Sequence, residues 1–150
     1  MIHLRRAKSD DSHIYTLIEE QLLPYTKESN PHVKWNMVIC KKRLAKGITW
    51  VIDTEQSKFV GFIHVLPKYQ DVNVDLLAVR PKYQGNGYGK QLLYKAHHYA
   101  LENGYGHVYV YVDRRNKGAQ KFYKREGYAS IGYDKETDTY LYKRKMKNIM

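Results

Sequence analysis

Between Asp75 and Ala100 the chain reads DLLAVRPKYQGNGYGKQLLYKAHHYA: an apolar run suited to a strand, a polar turn carrying Gly85, Gly87 and Gly89, then apolar residues at helical spacing. This succession of strand, tight loop and helix constrains the fold more than any other segment, because the next strand then returns by a crossover to lie parallel in the same sheet. The glycines sit where the helix begins, so its unpaired backbone N–H groups are open to a ligand with no side chain in the way. A loop of this kind suits an anion, above all phosphate.

The segments on either side follow from periodicity and punctuation. A first strand is expected over Ile2 to Ala7, followed by a helix with Ser9, Asp10 and Asp11 as N-caps and Ile14, Leu17, Ile18 and Leu22 as its apolar face. Pro24 should end that helix soon after Leu23 and open a loop over Tyr25 to His32. Trp35, Val38, Ile39 and Leu44 predict a second helix from Lys34 to Lys46, closed by Gly47.

Strands are expected over Ile48 to Asp53, Phe59 to Leu66 and Val72 to Val79, separated by Thr54 to Lys58 and Pro67 to Asp71. A helix over Gly87 to Glu102 ends at Asn103-Gly104, a strand covers His107 to Val112, and a short helix covers Asn116 to Arg125 before Gly127. Two strands, Ala129 to Tyr133 and Thr139 to Lys145, close the chain. This order implies an α/β fold: a mixed, mostly antiparallel sheet with one right-handed βαβ crossover and helices on both faces. Ligands in such sheets bind beyond the C-terminal strand ends, where the glycine loop also lies.

At 150 residues and 43% hydrophobic content, a single domain over 1–150 is expected. No apolar run suits a membrane span or a cleaved leader, which points to a soluble, cytoplasmic protein without a membrane partner. Cys40 is the single cysteine and sits among Val38, Ile39 and Leu44, so it reads as a buried thiol. The formal charge of +11 favours polyanions or a phosphorylated cofactor. Nucleic acid is not favoured as a partner, because the basic residues are spread along the chain and no recognisable binding module appears. No metal site is indicated: His97 and His98 are adjacent on a helix and point apart, and His3, His13, His32 and His107 are isolated.

Gln84, Gly87 and Gly89 fit a Q/R-x-x-G-x-G/A signature, preceded by the strand exit Leu77-Ala78-Val79-Arg80-Pro81. Downstream, Asn116, Ala119, Phe122, Tyr123, Gly127 and Tyr128 fit N-x-x-A-x-x-F-Y-x-x-x-G-F/Y, and a third, shorter match is Arg5-Arg6-Ala7 with Asp11. In these motifs and in their order the chain resembles the GCN5-related N-acetyltransferase (GNAT) family. The loop lacks the Gly-Lys-Ser/Thr ending of a P-loop, and the element order does not suit a dinucleotide fold.

The resemblance implies acetyl-CoA as cosubstrate and no metal, with a primary amine attacking the thioester directly in a ternary complex. It assigns Gln84, Gly85, Asn86, Gly87, Tyr88, Gly89 and Lys90 to the pyrophosphate, with Arg80 as nearby positive charge. Leu77, Ala78 and Val79 are assigned to the pantetheine arm, along a strand splayed from its neighbour at His107 to Val112, with an oxyanion donor among the backbone N–H groups near Leu77 or Val79. Tyr123 is implied as the acid that protonates the leaving thiolate, since an ordinary tyrosine pKa near 10 lies close to a thiol's. Asn116 would hold the cofactor arm, cap a helix, or do both.

The base is open between Asp75, His64 and water. Asp75 lies on the cofactor strand, where strand alternation would put residues 73, 75 and 77 on one face, and two positions where relatives carry an acid hold Asn73 and Tyr111 here. The acceptor groove is expected between Tyr25 to Trp35 and Ile131 to Tyr142, with Glu19, Glu20 and Glu28 able to meet a cationic amine. The acceptor itself and a homodimer are left open. The alternatives are a CoA-binding regulatory domain without turnover and, on charge alone, a nucleic-acid-binding protein.

Overall fold

In the computed structural model, which describes residues 1–147, seven strands form one sheet: β1 (Ile2–Leu4), β2 (Ile48–Asp53), β3 (Phe59–Lys68), β4 (Asp71–Val79), β5 (His107–Asp113), β6 (Ala129–Asp134) and β7 (Thr139–Lys145). Their spatial order is β1-β2-β3-β4-β5-β7-β6, with β4–β5 parallel and the other pairs antiparallel. Five helices accompany them: α1 (Ala7–Gln21), α2 (Leu23–Ser29), α3 (Met37–Leu44), α4 (Tyr88–Glu102) and α5 (Lys117–Arg125). This is the mixed, mostly antiparallel α/β sheet with one parallel crossover that the element order implies. Residues 148–150 of the expected domain lie outside the described residues.

Each face of the sheet carries its own core. On one, Ile14, Leu17 and Ile18 of α1 and Cys40 and Leu44 of α3 pack on Val51, Phe62, Leu76 and Ala78. On the other, Leu92, Leu93, Ala96 and Ala100 of α4 and Tyr123 of α5 pack on Ile52, Ile63, Val74 and Val110. The recurrence of apolar residues every three or four positions in α1 and α4 is what lets one stripe of each helix face the sheet.

Several boundaries differ from expectation, each for a local reason. β1 stops at Leu4 and α1 starts at Ala7, so Ser9, Asp10 and Asp11 lie inside the helix and not at its cap. Asp10 nonetheless serves the helix start, its carboxylate accepting the Arg6 N–H at 2.7 Å, while Asp11 takes Arg5 in two hydrogen bonds of 2.6 and 2.8 Å. Pro24 does not open a loop; it occupies the first turn of α2, where its missing N–H would have no helical partner in any case. The Asn36 side chain caps α3 by accepting the Ile39 N–H at 2.9 Å, which delays that helix to Met37. β3 runs through Pro67 to Lys68 and turns at Tyr69 and Gln70 straight into β4. β2 pairs only as far as Val65, so one side of β3 at Pro67 has no partner strand and a missing donor there costs nothing.

One irregularity in β4 decides which of its residues face which side of the sheet. His64 pairs with Leu76 and Val65 with Val74, which leaves Asp75 as an extra, bulged residue. Buried residues alternate without a break along β4, yet Val72 and Val74 belong to the α4/α5 core and Leu76 and Ala78 to the α1/α3 core. The expectation that residues 73, 75 and 77 share a face is therefore wrong, because the bulge turns Leu77 and Val79 toward α4 and α5.

Candidate functional site

β4 and β5 touch only at their start, through Asp71, Asn73 and their neighbour Val72 against His107, Tyr109 and Val108. Beyond that point both strands continue, to Val79 and Asp113, without pairing with each other, and a gap opens between them. The Arg80 N–H donates to Val60 O at 2.8 Å, and this sets the alternation along β4: the N–H and C=O groups of Ala78 and Leu76 turn to β3, and those of Leu77 and Val79 turn to the gap. The Ala78 side chain packs into the α1/α3 core, so Ala78 borders the gap without facing it.

The glycine loop lies at the end of β4. Gly85 and Gly87 have φ of 80° and 83°, in the left-handed region where a side chain is strained, and a Cβ at either would meet only open space. Open space in front of the backbone is what an incoming ligand needs. The Gln91 N–H to Gly87 O bond of 3.0 Å is the first of α4, so the N–H groups of Tyr88, Gly89 and Lys90 have no partner within the helix. Together with the helix dipole they present partial positive charge.

Around them the polar side chains brace the loop: Gln84 donates to Val79 O at 2.9 Å, and Asn86 donates to Tyr83 O and Gln84 O at 3.2 Å each. Tyr88 meets Tyr83 edge-on at 6.0 Å and Lys90 lies over Tyr94 at 5.4 Å. Arg80 is drawn away, donating to Phe59 O at 3.2 Å and stacking over the Phe59 ring, so it is tied to the β3 side rather than free beside the loop.

α5 supplies the opposite wall. Asn116 accepts the Ala119 N–H at 3.1 Å and so caps α5, while Phe122 sits against Gly89, joining α5 to the start of α4. The Tyr123 ring is 4% exposed and packs edge-on against Phe122 and Tyr128 at 5.1 and 5.3 Å. Its hydroxyl bonds to no other group among the described residues, and it is not one of the fully enclosed polar atoms that lack a partner, which are Trp35 Nε1, His64 Nε2 and Asn73 Oδ1. Burial pushes the Tyr123 phenol well above its ordinary range, against the expectation of a value near 10.

Behind Tyr123, the Tyr128 hydroxyl lies 2.5 Å from His97 Nε2, and Arg144 donates to His97 Nδ1 at 3.3 Å. A guanidinium only donates, so Nδ1 is the acceptor and the imidazole proton sits on Nε2, directed at Tyr128. Burial, with the Arg144 charge, holds His97 at about 4, so this group is neutral at pH 7.

The other face holds the candidate bases. Arg43 of α3 grips Asp75 with two hydrogen bonds, Nε to Oδ2 and an Nη to Oδ1, both 2.9 Å. His64 is fully buried, its Nδ1 lies 2.8 Å from Thr49 Oγ1, and its Nε2 is 3.7 Å from Asp75 Oδ2. Burial lowers the His64 pKa, with Asp75 opposing and Arg43 adding to the shift. Neither Asp75 nor His64 stands free in the gap.

Glu28 is also taken, at 3.3 Å from Arg115, which in turn donates to Tyr25 O and ties α2 to the end of β5. His98 pairs with Glu102 one turn on at 2.8 Å. Cys40 is fully buried, and burial raises its thiol. Beside β5, β6 and β7, a cavity of about 340 Å³ is lined by Tyr111, Gly132, Tyr133, Asp134, Lys135 and Leu141. A larger one of about 490 Å³, beside Ile2, Trp50, Lys95 and Tyr99, lies at the β1 edge, away from the glycine loop. No described helix is long and apolar enough to cross a membrane.

The sequence signals missed two features of this arrangement, Arg43 and the β4 bulge. Arg43 carried none, since it follows Lys41 and Lys42 as one more surface cation, 32 residues from its partner. The bulge carried a weak one, the doubled Leu76-Leu77 inside an alternating strand.

The model of the acetyltransferase (GNAT) family matches residues 13–128. A streptothricin acetyltransferase of Streptomyces lavendulae is 34% identical over 65 residues, which cover 43% of this chain and 34% of that protein. The chain thus spans about a third of the length of the curated relatives it matches. Among solved structures, Ard1 from Thermoplasma volcanium shares the fold with a TM-score of 0.79 at 18% identity, covering 99% of this chain and 98% of that one. The PaiA N-acetyltransferase from Thermoplasma acidophilum, solved with coenzyme A, has a TM-score of 0.75 at 19% identity, covering 97% and 99%.

Proposed function

The chain belongs to the GNAT family of acetyltransferases, and from that premise we propose that it is an acetyl-CoA-dependent N-acetyltransferase acting on a primary amine by direct attack in a ternary complex. The observation that carries this is the gap between β4 and β5, which ends at a helix start with free N–H groups. It suits a long ligand with an amide-bearing arm and a diphosphate. Leu77 and Val79 would pair with the arm, Ala78 would flank it, and Gly85 through Lys90 would hold the phosphates, with Gln84 and Asn86 keeping the loop in shape. Asn116 Oδ1 serves the helix cap, which leaves its amide N–H groups for the arm.

Acetyl-CoA supplies an acyl group activated as a thioester. The residues of the chain hold and move the protons around it. Backbone N–H groups of Leu77 or Val79 face the gap as oxyanion donors, and Tyr123 keeps its proton at Oη for the departing sulfur. Burial favours the protonated phenol, so the proton stays on Oη until the sulfur departs. With Asp75 and His64 engaged elsewhere, the ammonium proton of the acceptor passes to water in the open bay beside Tyr111, where that ring is 48% exposed.

Calorimetry with acetyl-CoA, followed by thiol release over a panel of primary amines, tests this. The wild-type protein should bind acetyl-CoA and release CoA with at least one amine. Gly87→Glu should abolish binding, because it places bulk and negative charge at the phosphate position on a backbone with φ of 83°. Binding without release above hydrolysis for any amine would favour a regulatory CoA-binding domain.

A further inference from the structure

The bulged residue of β4 has its side chain held from outside the sheet, by a helix. An extra residue in a strand loosens the ladder at that point, since it has no opposite number to bond with. Here Asp75 is that residue, and α3 reaches over it: both carboxylate oxygens are taken by Arg43 at 2.9 Å, while His64, fully buried and itself fixed by Thr49, stands 3.7 Å from Oδ2. A bidentate guanidinium–carboxylate pair fixes orientation as well as distance. The Asp75 side chain is only 13% exposed and that of Arg43 42%, so screening reaches the pair from the arginine side alone.

Asp75 lies two residues before Leu77, whose N–H faces the gap only because the bulge has shifted the phase of the strand. If the bulge relaxed, that N–H would turn back toward β3, and Leu77 would swap faces with Leu76.

We propose that Arg43 is a positioning residue for acetyl transfer: through its two hydrogen bonds to Asp75 it clamps the β4 bulge and keeps the backbone N–H groups beyond it aimed into the gap. This rests on the acetyl-transfer function proposed above. It gives Asp75 the role of an anchor and takes it out of proton transfer.

The test compares wild type, Arg43→Ala, Arg43→Lys and Asp75→Asn by NMR amide hydrogen exchange with and without acetyl-CoA. It is joined by steady-state thiol release with tyramine, spermidine and an alanine-terminated peptide as acceptors. In Arg43→Ala the amides of Leu76 and Ala78, which turn to β3, should exchange at least about ten-fold faster relative to Val72, and kcat should fall at least about ten-fold with KM for acetyl-CoA within about three-fold. Arg43→Lys, which keeps the charge and one donor, should recover most of both. Asp75→Asn, which still accepts from Arg43, should lose less than about ten-fold, whereas loss of a general base costs about 10²–10⁴-fold.

Unchanged exchange at the bulge in Arg43→Ala would overturn the clamp. So would a loss confined to KM, or a hundred-fold loss in Asp75→Asn beside a fully active Arg43→Ala. If acetyl-CoA leaves the Leu77 and Val79 amides of the wild type unshifted, acetyl transfer itself is wrong, and the exchange rates of the four free proteins still decide the clamp.

Discussion

Two groups of titratable side chains flank the strand gap, one on each face of the sheet, and they are built on opposite principles. On the α4/α5 face, Tyr123 packs edge-on against Tyr128, which stacks on His97 and shares a hydrogen bond with it, all as neutral groups, and burial opposes charge on all three. On the α1/α3 face, Asp75 and Arg43 form a full ion pair beside the buried His64. The contrast separates two tasks. A group that holds a proton for transfer benefits from a dry, uncharged setting in which its protonated form is favoured, while a charged pair is better suited to fixing the backbone between them.

The sharpest way to break this division is Tyr123→Phe. Acid catalysis is worth about 10²–10⁴-fold, so single-turnover thiol release should drop by about two orders of magnitude or more, with acetyl-CoA affinity within about three-fold. Full turnover in this variant, with chemistry limiting, would remove Tyr123 from proton transfer.

The next largest effect is on stability. His97 is held at about 4 in the folded protein against about 6.5 unfolded, so the unfolded chain binds the extra proton first. The stabilisation is complete above about pH 6.5 and is lost as pH falls toward about 4, by up to about 3 kcal/mol. His97→Gln removes this titration, so urea midpoints at pH 7 and 4.5 should differ less in the variant than in the wild type. Parallel pH curves for the two proteins would mean that His97 is not kept neutral by the fold.

The smallest effect concerns the other face. Thr49→Val strands His64 Nδ1 without its partner and should cost about 1–3 kcal/mol in chemical denaturation. Adding His64→Leu should recover part of that loss, because neither polar atom then remains buried. A double variant as unstable as the sum of the singles would argue against the pairing.

Most of the sheet was legible in the sequence because its strands are rich in β-branched and aromatic residues, and the β2 and β7 boundaries agree to the residue. The glycine loop was legible for a different reason: only residues tolerant of positive φ fit there, and Gly85 and Gly87 announce it. What stayed hidden depends on pairing across distance. The bulge left burial alternating along β4, since both faces of that strand are covered and a change of side costs no exposure. The Arg43–Asp75 pair joins a helix to a strand through no local pattern. The raised Tyr123 phenol depends on how much protein surrounds it, which no motif reports. α2 was read as loop because Pro24 stops a helix it follows and starts one it leads.

The bulge at Asp75 also sets how this strand can change by insertion or deletion. A chain shortened by that one residue would regain an uninterrupted ladder between β3 and β4, a more regular sheet by every local measure. Leu76 through Val79 would keep their cores and their gap-facing donors, since their partners from His64 to Gly61 are unchanged, and what would be lost is the carboxylate that Arg43 holds. Substitutions along β4 can be absorbed one side chain at a time. Drawing Asp75 into the ladder cannot, since pairing it with His64 would move each residue from Leu76 to Val79 to the opposite core.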